Sequence, residues 1–157
     1  MYTDEFLKGL IDCPKKIVDH PKEKEGRADF LKKSFGLISI NEEYRFNGFI
    51  TQSLVFDENF SIGLVFNPKD EKGTITLLRC NGRHGGTKEF PHHAEWHIHY
   101  ADAEMINLGL KPEGRIITTN EYSTLDSAIQ FYIQHINLMP EDRQKYFPPP
   151  SGQLDLF

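Results

Sequence analysis

Between Tyr44 and Cys80 the apolar and polar positions alternate with a period of two, as half-buried strands require. Phe60, Ile62, Leu64 and Phe66 give the clearest run, and Tyr44, Phe46, Gly48 and Ile50 alternate ahead of them. Gly36–Ile40 reads as an earlier strand, and Ser53–Phe56 leads into the turn Asp57-Glu58-Asn59. Thr74–Cys80 returns after the Asn67–Gly73 turn, and Trp96–Tyr100 and Arg115–Thr119 follow. Short polar turns between successive strands predict an antiparallel meander.

The period becomes helical twice. Phe6, Leu7, Leu10 and Ile11 form a stripe behind a Thr3 cap, with Asp4 and Glu5 in the first turn and Pro14 as the stop. Leu125, Ala128, Ile129, Tyr132, Ile133 and Ile136 form the second stripe. Ser123 and Asp126 read as its capping box, Pro140 as its end, and His135 as a structural residue on its flank. Lys15–Lys33 is charged and weakly patterned, with one helical turn around Ala28–Leu31, and Ala101–Glu121 reads as polar loop. The expectation is α+β: one antiparallel sheet of about five or six strands, with an N-terminal and a C-terminal amphipathic helix packed on it. Residues 1–140 form one domain. Residues 141–157 form a proline-rich linker, Pro148-Pro149-Pro150-Ser151-Gly152, and a binding tail.

A chain of 157 residues suits one domain and one core. Hydrophobic residues at 38% place it among globular proteins. Eighteen basic against 23 acidic residues give −5, which argues against a broad electrostatic footprint for nucleic acid. Any such contact needs a local patch, such as Arg79, Arg83 and Lys88. The opening MYTDEFLKGL has no signal-peptide pattern, and no apolar run reaches the roughly 20 residues of a membrane span. Cys13 and Cys80 lack CxxC spacing, which argues against a disulfide framework or a cysteine zinc site and for a cytoplasmic protein. Cys80 ends a strand and is either a nucleophile or, more commonly for such a cysteine, a small buried hydrophobe.

Candidate chemistry gathers between Arg79 and Tyr100, where five of the seven histidines lie: His84, His92, His93, His97 and His99. In Trp96-His97-Ile98-His99-Tyr100, strand alternation puts both imidazoles on one face. Three readings follow. His97 and His99 ligate a divalent metal, with His92, His84, His93 or Glu95 completing the set. Alternatively no cofactor is needed. His97 and His99 then act as an acid–base pair, while His84, Arg79 and Arg83 hold a phosphate, as ribonuclease or other phosphodiesterase chemistry requires. In the third reading the histidines are polar residues of an exposed sheet face.

Arg79-Cys80-Asn81-Gly82-Arg83-His84, then Phe90-Pro91-His92-His93 and His97, resemble the signature of the TumE-like toxins of bacterial toxin–antitoxin systems. In that family a strand ending in Arg-x-Asp-Asn precedes a histidine loop, then Phe-Pro-His-His and a further histidine. A leucine-rich acidic helix follows, and Leu125-Asp126 opens the comparable helix here. Asn81-Gly82 stands where the family has Asp-Asn, His84-Gly85 lacks a paired histidine, and the spacing to His97 is longer. Residues 1–40 and the tail have no counterpart. A looser resemblance is to prophage and mobile-element proteins with the same Asn-Gly…His…His-x-His pattern. The TumE-like resemblance implies a growth-inhibiting toxin acting on RNA and neutralised by a cognate antitoxin.

Gln153-Leu154-Asp155-Leu156-Phe157 is similar to the pentapeptide by which bacterial polymerases and repair factors bind the DNA sliding clamp. Gln153 suits the rim of a groove, Leu154 adds apolar contact, and Leu156 and Phe157 are adjacent apolar anchors. The competing expectation is a non-enzymatic interaction protein that binds the clamp through this tail and modulates replication.

Overall fold

The computed structural model describes residues 1–25, 28–70, 73–83, 95–112 and 114–150. Seven strands lie side by side in chain order: β1 (Lys15–Glu23), β2 (Phe30–Ser39), β3 (Arg45–Ser53), β4 (Phe60–Asn67), β5 (Ile75–Asn81), β6 (His97–Tyr100) and β7 (Arg115–Thr118). Every neighbouring pair is antiparallel. The α+β meander holds, with seven strands instead of five or six. The addition is β1, within the segment expected to be unpatterned. Its register shifts twice, between Ile17 and Asp19 and between Asp19 and Lys22, which erases the period of two.

Alternation divides the sheet into two faces. Leu37, Phe46, Ile62, Leu64, Leu78, Cys80 and Ile98 are buried on one of them. Leu7, Leu10 and Ile11 of α1 (Asp4–Asp12) and Ala128, Tyr132 and Ile133 of α3 (Leu125–His135) cover that face. Thr3 caps α1 as expected, accepting from the Phe6 amide. The expected loop after β6 contains a short helix, α2 (Ala103–Asn107), capped by Asp102.

Two boundary expectations change. The α3 capping box is formed by Thr124 and Ser127, not Ser123 and Asp126. Both pairs have the required spacing, but Thr124 takes the extended backbone of a cap and leaves Leu125 to open the helix half-buried. Nor does Pro140 end α3. Asn137 does, in the left-handed conformation (φ 58). Leu138 N–H reaches back to the Ile133 carbonyl at 3.0 Å, and both side chains are buried, as in a Schellman cap. Pro140 instead opens α4 (Pro140–Tyr146), where a missing N–H costs nothing. Phe147 then packs on Phe35, with ring centroids 5.3 Å apart.

Candidate functional site

Helices cover one face of the sheet; the candidate residues stand on the other. The ladder sets Asn81 opposite His97 and Arg79 opposite His99, so all four side chains share that face. Gly63 of β4 adjoins Arg79 and is glycine for a packing reason. A Cβ there would lie 2.2 Å from the ring of Phe49, which crosses the strand at that point.

His97 is fully buried and its protonation follows from its partners. Nδ1 lies 2.8 Å from the Glu95 carbonyl, which can only accept, so Nδ1 carries the proton. In the neutral ring Nε2 is then an acceptor, and it meets Asn81 Nδ2 at 3.3 Å. Asn81 Oδ1 in turn accepts from the Ser61 hydroxyl at 2.7 Å. The chain Ser61–Asn81–His97–Glu95 has one consistent direction. The Tyr122 hydroxyl lies 2.9 Å from the carbonyls of both Asn81 and His97, clamping the ends of β5 and β6 from the core side. Burial raises the pKa of that phenol.

His99 is buried beside His97, with ring centroids 5.1 Å apart and edge-on. Just beyond the ladder the Arg83 guanidinium stacks on Trp96, 3.9 Å from the ring centroid. Arg83 Nε and the Trp96 indole N–H are both buried, and neither has an acceptor among the described residues. Buried donors are rarely left so.

The structure thus brings together His97, His99, Arg79 and Arg83. His84, His92, His93 and Lys88, like Gln153–Phe157, lie outside the described residues. Among the described residues no three histidine, cysteine or acidic side chains cluster to hold a metal ion. Both ring nitrogens of His97 are already engaged, so ligation through His97 would break a hydrogen bond. Cys80 points into the core with no exposure, and burial pushes its thiol pKa up, so it packs as a hydrophobe. Sequence reasoning missed Asn81 and Ser61 as partners of His97, and Trp96 as partner of Arg83. Pairing register would have found Asn81 and Ser61; no sequence signal marks the stacked pair.

No family model, curated protein or solved structure matches the chain. Among the described residues no helix is long and apolar enough to cross a membrane.

Proposed function

We propose that the protein is a toxin-like ribonuclease working on the helix-free face at the His99–Arg79 end of β5 and β6. The observation that carries this reading is the pairing of Arg79 with His99 on the helix-free face, a guanidinium beside an imidazole. The buried donors Arg83 Nε–H and Trp96 Nε1–H, without an acceptor among the described residues, lie past the other end of the ladder, where an anionic oxygen of a neighbouring phosphate would satisfy them. His99 takes the proton from the ribose 2′-hydroxyl, and that oxygen attacks phosphorus. The bond to the 5′-oxygen breaks, the leaving oxygen takes a proton from water, and a 2′,3′-cyclic phosphate remains. His97, held neutral by Asn81 and Glu95, is a positioning residue that fixes the end of β6 under His99. A cognate antitoxin is the partner that this reading requires.

Induced expression of the wild type should arrest growth, whereas His99→Ala and Arg79→Ala should relieve arrest at unchanged thermal midpoint. Should His97→Ala and His99→Ala both fold and arrest growth like the wild type, the enzymatic reading fails. Metal analysis of the purified protein separates the two chemistries: stoichiometric zinc or manganese moves the reaction to a bound ion.

A second reading, a clamp-binding module, draws on where the core ends. Phe147 is its last buried side chain among the described residues, and Gln130 Nε2 donates to the Phe147 carbonyl at 3.0 Å. Among the described residues the buried core thus ends before the proline run, and Gln153–Phe157 follows it in sequence; the two readings are compatible.

A further inference from the structure

The two edges of the sheet are built differently. β1 is guarded: two register shifts break its ladder, Pro21 removes a donor, and Lys16, Asp19 and Lys22 charge it. β7 has neither a bulge nor a proline, and Arg115 is its one charge. It is regular, all four of its residues are exposed, and it presents Ile116 at 40% and Ile117 at 53% exposure. Its hydrogen-bonding groups can be assigned. Thr119 N–H donates to the Trp96 carbonyl at 2.9 Å. By alternation Ile117 and Arg115 also turn theirs toward β6, while Ile116 and Thr118 turn theirs out of the sheet. Among the described residues β7 pairs only with β6.

Beside this edge, on the helix-covered face, runs a cavity of about 400 Å³. One wall is α1, the other is Arg115 and Ile117, and Leu77, Tyr100, Ala101 and His135 form the floor. A strand edge unpaired among the described residues, an apolar trough and a helix wall beside it are the parts of a strand-addition groove. The helix wall carries Asp4, Glu5 and Asp12 against Lys8 alone. Asp4 is already held by the Ala103 amide at 3.0 Å, while Glu5 and Asp12 are exposed.

We propose that this groove takes an extended segment of a partner protein, which adds to β7 as an eighth strand. Ile116 and Thr118 supply the main-chain hydrogen bonds. Alternate apolar side chains of the incoming strand pack beside Ile117 at the mouth of the trough, and a basic residue at its flank meets Glu5 and Asp12. Tyr100 faces the trough and His99 the opposite side of β6, so occupancy here and chemistry at His99 are read separately.

The test uses the full chain and a fluorescein-labelled peptide of sequence Lys-Val-Thr-Val-Thr-Val-Lys, titrated by anisotropy. The wild type should bind it. Thr118→Pro removes an N–H that makes no ladder bond among the described residues, so binding should weaken at least tenfold at unchanged thermal midpoint. Ile117→Lys should do the same by putting a charge into the trough. A peptide with proline in place of each threonine should not bind, which keeps the test decisive if Thr118→Pro fails to fold. No binding at about 1 mM, where even a very weak complex registers, would overturn the proposal. So would binding that survives both substitutions. A wild-type dimer in sedimentation that Thr118→Pro converts to monomer would give the edge to a second copy and overturn the partner strand.

Discussion

At the scale of the residue, Asn81 decides what His97 can do. An aspartate at that position would only accept, and would call for a proton on Nε2; the asparagine amide donates and holds the neutral ring. Replacing Asn81 by alanine strands the buried His97 Nε2 and takes the acceptor from the half-buried Ser61 hydroxyl. Asn81→Ala should destabilise the fold by about 1–3 kcal/mol, the cost of one unsatisfied buried group, read by urea denaturation. Two-bond proton–nitrogen spectra should show His97 protonated at Nδ1 in the wild type. A second histidine gives a pH test. His135 Nε2 lies 3.0 Å from the Tyr100 hydroxyl, and burial, its largest influence, lowers its pKa below the usual 6.5. The unfolded chain therefore takes up this proton before the folded one, so stability falls as pH drops through 6.5 toward the lowered value. His135→Gln should flatten that decline below pH 6.5, and an unchanged slope would show that His135 does not contribute. The alternation of His97 and His99 was legible in the sequence because it needs only a period of two. What their nitrogens touch was not, because Asn81 lies 16 residues away and meets His97 only through the β5–β6 register.

Elements are joined at Lys15, the first residue of β1. Its side chain is fully buried, and Nζ donates to the carbonyls of Ile11, Cys13 and Ile136 at 2.7, 2.8 and 2.9 Å. Those carbonyls end α1 and α3, so one ammonium caps two helix C-termini and also lies 5.0 Å from the centroid of Phe46. Lys15→Met keeps the volume and leaves three carbonyls without their donor. It should cost at least about 1–3 kcal/mol, the range for leaving a buried acceptor unsatisfied. Burial also brings the Lys15 pKa from 10.5 down to about 8. Between these values the unfolded chain holds the proton more tightly, so the wild type gains on Lys15→Met as pH rises through this window. Taking the difference between the two proteins cancels Cys80 and the buried tyrosines, and a pH-independent difference would contradict the assignment. This junction explains why β1 escaped the sequence pattern. Its one fully buried side chain is a lysine, Val18 is 45% exposed, and its two bulges shift the alternation. Strand β3 was legible because it alternates on a single register between two neighbours, and β4 because its own alternation is unbroken although β5 bulges against it between Leu64 and Val65. Pro140 misled because proline stops one helix and starts another with equal ease, and only the left-handed Asn137 before it says which.

For the whole molecule, the last buried apolar side chain among the described residues is Phe147. From Leu7 to Phe147 the buried apolar side chains among the described residues pack between the sheet and the helices on its covered face, apart from Ile38, which alternation turns to the other face. Nothing in that packing calls for Gln153–Phe157. Deleting residues 151–157 should therefore leave the thermal midpoint within about 1 °C, under the roughly 2–4 °C that 1 kcal/mol would shift. The same deletion should abolish binding to the sliding clamp, where Leu156 and Phe157 are the apolar anchors. An extended pentapeptide buries little area, so micromolar affinity is expected, about −8 kcal/mol. Recruitment through a protein partner also suits a chain of net charge −5, which has no broad basic surface to find nucleic acid unaided. Titrating the clamp with a labelled 148–157 peptide and with the full chain, wild type and Leu156→Ala with Phe157→Ala, separates the outcomes. Equal binding by peptide and full chain, lost in the double variant, supports a docking tail. Binding by the peptide alone means that the domain itself covers the segment, and the deletion should then lower the thermal midpoint. No binding by either at about 100 µM, far above the expected dissociation constant, removes the clamp from the function and leaves the His99 face to carry it.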